Sequence, residues 1–271
     1  MKVMVLSDPL FRIVPVYFIQ KNIFMRYIIV LILSMIFCSL SLAGTRDPKK
    51  ADEQYITYGS EFSCIFKLKC VTSNGTVYYA SAVAIDDNWL LTAAHVLSHS
   101  KDISITVDNA TIKIDKVVTH KDFIASNYGY YDIALCRVEK PFKLLFYPSL
   151  YRDKNEVGKV CSIAGYGSYG TFETGVTGSD GIKRAGSNTI DTIDRHLIIC
   201  TPSRPNSKGI TELEYMIANG DSGGGLFIGN QLAGINSCVI AVDKQTNSNY
   251  GDESGHTRVS QFVDWIIENK K

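Results

Sequence analysis

The sequence has 271 residues, 45% of them apolar, enough for one large all-β domain or two small ones with packed cores, which excludes a disordered or fibrous chain. Lys and Arg number 28 against 27 Asp and Glu, so no net field marks nucleic acid or an acidic membrane surface as the partner. Function is therefore expected from a local site.

The first expected element is an export signal. The apolar run Tyr27 to Leu40 follows Arg26 and ends at Ser41-Leu42-Ala43, the basic start and small-x-small exit of a leader cut after Ala43. The run is short for a membrane span, and an uncleaved anchor is the alternative. A second apolar patch, Leu10 to Ile19, precedes it, and Met25 to Ala43 is complete as a leader, which makes Met25 a candidate start. Residues 1–43 are thus set apart as a signal region, and polar residues 44–55 as a linker or short propeptide.

From Ser60 onward, short apolar or alternating runs are broken by polar turns: Cys64 to Val71, Val77 to Ile85, Ile103 to Val107, Ile112 to Val118, Ile133 to Val138 and Val160 to Ala164. Their lengths and β-branched content predict strands, and their number a barrel or sandwich. Further strands are expected at Leu197 to Cys200, Leu226 to Ile228 and Gln231 to Ile235, after Gly-rich loops between Gly165 and Gly178. Only Val259 to Asn269 has helical spacing, with Val259, Phe262, Val263 and Ile266 on one face and Trp265 beside them.

Three motifs carry chemistry. Gly220-Asp221-Ser222-Gly223-Gly224-Gly225 precedes an apolar strand; glycines allow a tight turn on which the N–H groups of Gly220 and Ser222 converge on a developing oxyanion. Alone, this pattern is also that of a Gly-rich hairpin. In Leu90-Leu91-Thr92-Ala93-Ala94-His95, small residues leave an imidazole room to turn toward a partner, and imidazole is the side chain suited to general base work near neutral pH. His99, His120, His196 and His256 lack such a setting and are assigned structural roles. Asp132 opens the apolar run Ile133-Ala134-Leu135, where a partly desolvated carboxylate needs a cationic or hydrogen-bonding partner.

Taken together, in the order His95, Asp132, Ser222, these motifs resemble TAAH, D-[IL]-A-L and GDSGG of the chymotrypsin/trypsin family of serine peptidases, in an exported, bacterial-type member. The resemblance spans Ile56 to the C-terminus. It includes Val160 to Gly167, Gly234 to Ser237 and Gly255 to Val259. It implies an all-β fold of two six-stranded antiparallel barrels, residues 56–148 and 149–271, with a terminal helix and the site in the cleft between them. The implied activity is peptide-bond hydrolysis through an acyl-enzyme, with Ser222 as nucleophile, His95 as base, Asp132 as orienting carboxylate and Gly220 and Ser222 as oxyanion donors. A catalytically silent homologue acting as a binding module is the alternative.

The family's activation mechanism, in which a freed Ile or Val amino terminus pairs with the Asp before the nucleophile, implies cleavage after Tyr55 and an Ile56–Asp221 pair. The aligned specificity pocket has Met216 at its floor, Val239 and Ser237 along one wall and Ser254 opposite, implying small or medium aliphatic residues before the scissile bond rather than Lys or Arg. Val96 and Ala80 stand where the usual histidine-loop disulfide has cysteines, Cys238 replaces a Trp, Gly225 a Pro, and Ala218 a Cys. Six cysteines outside the signal region leave disulfide pairing open. Neither a metal nor a cofactor is expected. The expected partner of this monomer is a protein or peptide substrate, with no nucleic acid and no membrane after leader removal.

Overall fold

The computed structural model describes residues 44–125, 130–241 and 243–270; the stretch assigned to a leader lies outside them. Residues 44–55, expected as a linker or short propeptide, carry strand β1 (Thr45–Arg46) and the start of helix α1 (Asp52–Ser60). Asp52 and Glu53 occupy the first helical turn, where carboxylates complement the helix dipole. Gly59 faces the protein so closely that a Cβ there would stand 2.8 Å from the Lys183 carbonyl oxygen. Arg184, with 3% of its side chain exposed, donates to Asp52 Oδ2 at 2.6 Å and Asp180 Oδ2 at 2.8 Å, and Arg46 reaches Asp52 Oδ1 at 3.3 Å. The spatially nearer of the two partners of Asp52, Arg184, lies 132 residues away along the chain, so no local pattern announces this helix.

Strands β2 (Ile65–Thr72), β3 (Val77–Ala84), β4 (Trp89–Thr92), β5 (Ser100–Val107), β6 (Ala110–Thr119) and β7 (Ala134–Val138) form a closed barrel in the order β2-β3-β4-β7-β6-β5. Its interior is filled by fully buried aliphatics such as Leu68, Leu90, Leu91, Ile105 and Leu135. A short helix, α2 (Ala94–Leu97), leaves the end of β4.

The second half contains β8 (Ser149–Leu150), β9 (Val160–Gly165), β10 (Tyr169–Thr171), β11 (Gly175–Gly178), β12 (Arg184–Thr189), β13 (Thr192–Asp194), β14 (Leu197–Cys200), β15 (Tyr215–Met216), β16 (Gly225–Ile228), β17 (Gln231–Ile240) and β18 (Glu253–Arg258). Its main sheet runs β12-β9-β16-β17-β18-β14-β13 and, unlike the first barrel, is not closed by hydrogen bonds. A smaller sheet, β11-β10-β1-β15, joins β1 to this half. The β12 edge is covered by α1, which packs on it, an arrangement that protects the outer side of a strand paired only with β9 in the main sheet. Helix α3 (Val263–Asn269) ends the chain, with Phe262, Val263 and Ile266 buried. Buried Glu156 and Arg258 form a bidentate pair at 2.7 Å. Among the described residues the six cysteines form no disulfide, and one pair, Cys161 and Cys200, has sulfurs 3.9 Å apart. Among the described residues no helix is long and apolar enough to cross a membrane.

Candidate active site

His95 stands in α2 immediately beyond β4, and Asp132 immediately before β7; β4 and β7 are paired, with Thr92 opposite Ala134. Tyr131 turns the chain just ahead of Asp132 with a left-handed φ of 56°, a conformation costing about 1 kcal/mol for a residue with a Cβ. The ring is held among His120, His196 and Phe262.

The three candidate side chains form one line. Asp132, wholly buried, accepts from His95 Nδ1 at 2.7 Å through Oδ2 and from the His95 backbone N–H at 2.8 Å through Oδ1. Ser237 Oγ donates to the same Oδ2 at 2.5 Å, so three donors meet this buried carboxylate. His95 Nε2 lies 3.1 Å from Ser222 Oγ. Ser237, expected from sequence as a pocket residue, thus also braces Asp132.

The nucleophile turn requires its glycines. Gly220 has φ +88° in a turn closed by Asp221 N–H to Ala218 O at 2.9 Å, where a side chain would be strained. Gly223 has φ +84°, and a Cβ there would run into the Ser81 carbonyl. Among the described residues the Gly220 and Ser222 N–H groups have no protein acceptor, which leaves them available to an incoming oxygen.

Asp221 points away from the cleft and is fully buried. Its carboxylate accepts from Gly167 N at 2.8 Å, Ala218 N at 3.1 Å and Tyr215 Oη at 3.1 Å. Burial nevertheless pushes its pKa up to about 6, because these neutral donors only partly replace water. Ile56, expected to pair with Asp221 once cleavage after Tyr55 frees it, lies in the uncut chain within α1, which packs on β12. What lies against Asp221 is Gly44, whose hypothetical Cβ would stand 2.7 Å from Oδ2. The register follows from β1, in which Thr45 pairs with Met216 of β15 and Gly170 of β10.

A cavity of about 440 Å³ adjoins His95 and Ser222, lined by Ile217, Ala218, Asn219, Cys238, Val239 and Thr246 together with Ser237. Two of the expected pocket residues stand behind its wall. Met216 is fully buried in β15, and Ser254, also fully buried, uses Oγ to accept the Ile217 N–H at 3.2 Å. The offset is one residue: Ile217 faces the cavity because its neighbour Met216 pairs with β1, an interaction that no local pattern reveals. Cys238 and Ala218 were visible in sequence as departures from the family; Thr246 carried no signal. Burial raises the Cys238 thiol to a pKa of about 11, so it lines the wall as a neutral group.

A closed β-barrel, a second β-sheet and a Ser–His–Asp line define the chymotrypsin-like class of β proteins. Residues 57–266 match the family model described as Trypsin. Among curated relatives, the snake venom serine protease salmonase of Gloydius brevicauda is 27% identical over 208 residues, covering 70% of this chain and 77% of the relative. The β-fibrinogenase brevinase of Gloydius blomhoffii is 28% identical over 204 residues, covering 70% and 84%. The chain belongs to the trypsin family, and with it to the serine endopeptidases. Among solved structures, HL collagenase superposes with a TM-score of 0.62 at 18% identity, covering 77% of this chain and 94% of that one. Neuropsin, a serine protease of mouse brain, gives 0.61 at 18% identity, with coverages of 78% and 95%.

Proposed function

We propose that the protein is an exported endopeptidase in which His95 takes the Ser222 proton, Ser222 attacks the scissile carbonyl, and the N–H groups of Gly220 and Ser222 stabilise the tetrahedral oxyanion. His95 then protonates the leaving amine and activates water for deacylation, while Asp132 holds its tautomer. The observation that carries this reading is the unbroken line from Asp132 Oδ2 through His95 to Ser222 Oγ, at 2.7 and 3.1 Å. An organophosphonate probe is expected to modify Ser222, and His95→Ala to abolish the modification; probe mass on any other residue, or none, overturns the mechanism and favours a silent binding module. Export rests on the leader pattern.

The pocket is apolar at Ile217, Ala218 and Val239, and among the described residues no acidic side chain lines it. A buried cation would stay uncompensated there, so small or medium aliphatic residues are preferred before the scissile bond. A peptide library cut mainly after Arg or Lys would refute this specificity.

Activation is revised from Ile56 to Gly44. Leader removal after Ala43 converts the Gly44 amide into an ammonium beside Asp221, supplying the cation that buried carboxylate lacks. The export cleavage would then complete the site with no second processing step.

A further inference from the structure

The cleft has a second wall, away from the apolar pocket, and it is cationic. Ser81 ties β3 to the nucleophile turn: its N–H donates to Ser222 O at 2.9 Å, its Oγ donates to Gly220 O at 2.8 Å, and Tyr166 N–H donates to that Oγ at 2.8 Å. Two residues along β3 stands Tyr79, 52% exposed and on the same face as Ser81. Lys67 on β2 is paired in register with Ser81, and its ammonium lies 5.2 Å from the Tyr79 ring centre and 5.9 Å from that of Tyr166. The Lys183 ammonium lies 5.8 Å from the Tyr166 ring.

Two cations therefore share one aromatic ring. Each has only a neutral protein partner: Lys67 donates to Gly181 O at 3.2 Å, Lys183 to Phe62 O at 2.7 Å. Among the described residues, neither has an Asp or Glu oxygen within 4.0 Å. The nearby Asp180 is engaged by Arg184. Burial lowers the Lys183 pKa, the mark of an ammonium whose lost hydration is not replaced by an anion. Like charges gathered without a counter-charge are costly, and an incoming anion relieves that cost.

We propose that Lys67 and Lys183, framed by Tyr79 and Tyr166, select an acidic substrate side chain two residues beyond the scissile bond. The inference rests on the endopeptidase mechanism above and adds a preference on the leaving side. A substrate whose acyl-side residue enters the apolar pocket must leave Ser222 along the other wall, since Tyr79, Ser81 and Tyr166 do not line that pocket. An extended chain advances about 3.3 Å per residue, so its second leaving-side residue comes level with Tyr79, two residues from Ser81. Carboxylate is the fitting chemistry: it is compact, anionic and able to accept from both ammonium groups at once.

The test uses the mature protein and fluorogenic peptides that differ only in Asp, Ala or Lys at that position. Each partly screened ion pair contributes modestly, so two together are expected to raise kcat/KM for the Asp peptide about tenfold over Ala, with Lys poorer still. Salt at about 1 M should shrink the ratio. The double variant Lys67→Met and Lys183→Met keeps the apolar stems. It should bring the Asp-to-Ala ratio, measured within the same variant, to about one, while the double Arg variant should retain the ratio. Equal rates on Asp and Ala peptides in the wild-type protein, or a ratio that survives the double Met change, overturn the proposal. If Ser222 is labelled by the phosphonate and the rates are equal, this inference alone fails; if Ser222 is not labelled, the catalytic mechanism falls with it.

Discussion

Ser222→Ala is expected to lower kcat on a peptide substrate by about a million-fold, and His95→Ala by a similar factor. The double variant should be no worse than either alone, because the two groups act as one unit: without the hydroxyl there is nothing to attack, and without the imidazole nothing accepts its proton. What remains is owed to the oxyanion donors at Gly220 and Ser222 and to substrate binding, together about a thousand-fold or more over water. Asp132→Asn should cost about 10⁴-fold in kcat while leaving the fold intact. An amide at this position can still accept the His95 backbone N–H, now made to Oδ1 at 2.8 Å. It cannot offer a charged acceptor to both His95 Nδ1 and Ser237 Oγ, and the imidazole is released into the wrong tautomer. Steady-state kinetics on purified variants decides the matter, and a residual kcat within tenfold of wild type for any of the three would remove that residue from the mechanism.

A chain beginning at Gly44 is expected to exceed one that retains Ala43 in kcat/KM by about 10² to 10³, the effect of losing one well-placed oxyanion donor. Asp221 adjoins the turn that carries both donors, and its charged form needs a cation. Carbamylation of the Gly44 amine should bring the shorter chain down to the level of the longer one, and activity should fall at alkaline pH as the amine loses its proton, above the free α-amine value of about 8 because the Asp221 carboxylate favours the ammonium. Stability provides a separate check. In the blocked chain the Asp221 pKa is raised from 3.8 to about 6, so its protonated form favours folding. That contribution is complete below about pH 4 and is lost as pH rises through 6, about 3 kcal/mol in all. An ammonium at Gly44 stabilises the carboxylate and removes this loss, so urea unfolding of the two chains should diverge between pH 4 and 7, the free-amine chain being the more stable at the upper end. Identical pH profiles would exclude the pairing. Gly44→Ala should also impair the mature enzyme, because its methyl group would meet Asp221 Oδ2 at 2.7 Å.

The strands of the first barrel were legible because their determinants are local. Runs such as Trp89-Leu90-Leu91 and Ala134-Leu135-Cys136 are buried throughout, and an apolar run bounded by turn residues states this in the sequence itself. The helix over 52–60 was not legible, since it depends on Arg184 and on the β12 edge rather than on an amphipathic stripe of its own. The pocket was half legible. Val239 and Ser237 adjoin the cavity, whereas Met216 and Ser254 stand one layer behind it, because the pairing of β15 with β1 decides which face of the Met216-Ile217 step turns inward.

By itself the sequence determined the chemistry available to this protein: an imidazole after two alanines, a carboxylate before a buried strand, and a serine in a run of glycines that permits its turn. These are properties of neighbouring residues, set by side-chain size, backbone freedom and polarity. Only the tertiary structure decided which groups meet. Ser237 bonds Asp132 from 105 residues away, and in the uncut chain Gly44, not Ile56, reaches Asp221 because β1 inserts between β10 and β15. Lys67 and Lys183 converge on one ring from separate halves of the fold. Such contacts depend on strand pairing across the whole chain, and the free energy that selects them comes from burial and hydrogen bonding among distant segments, which no local window contains.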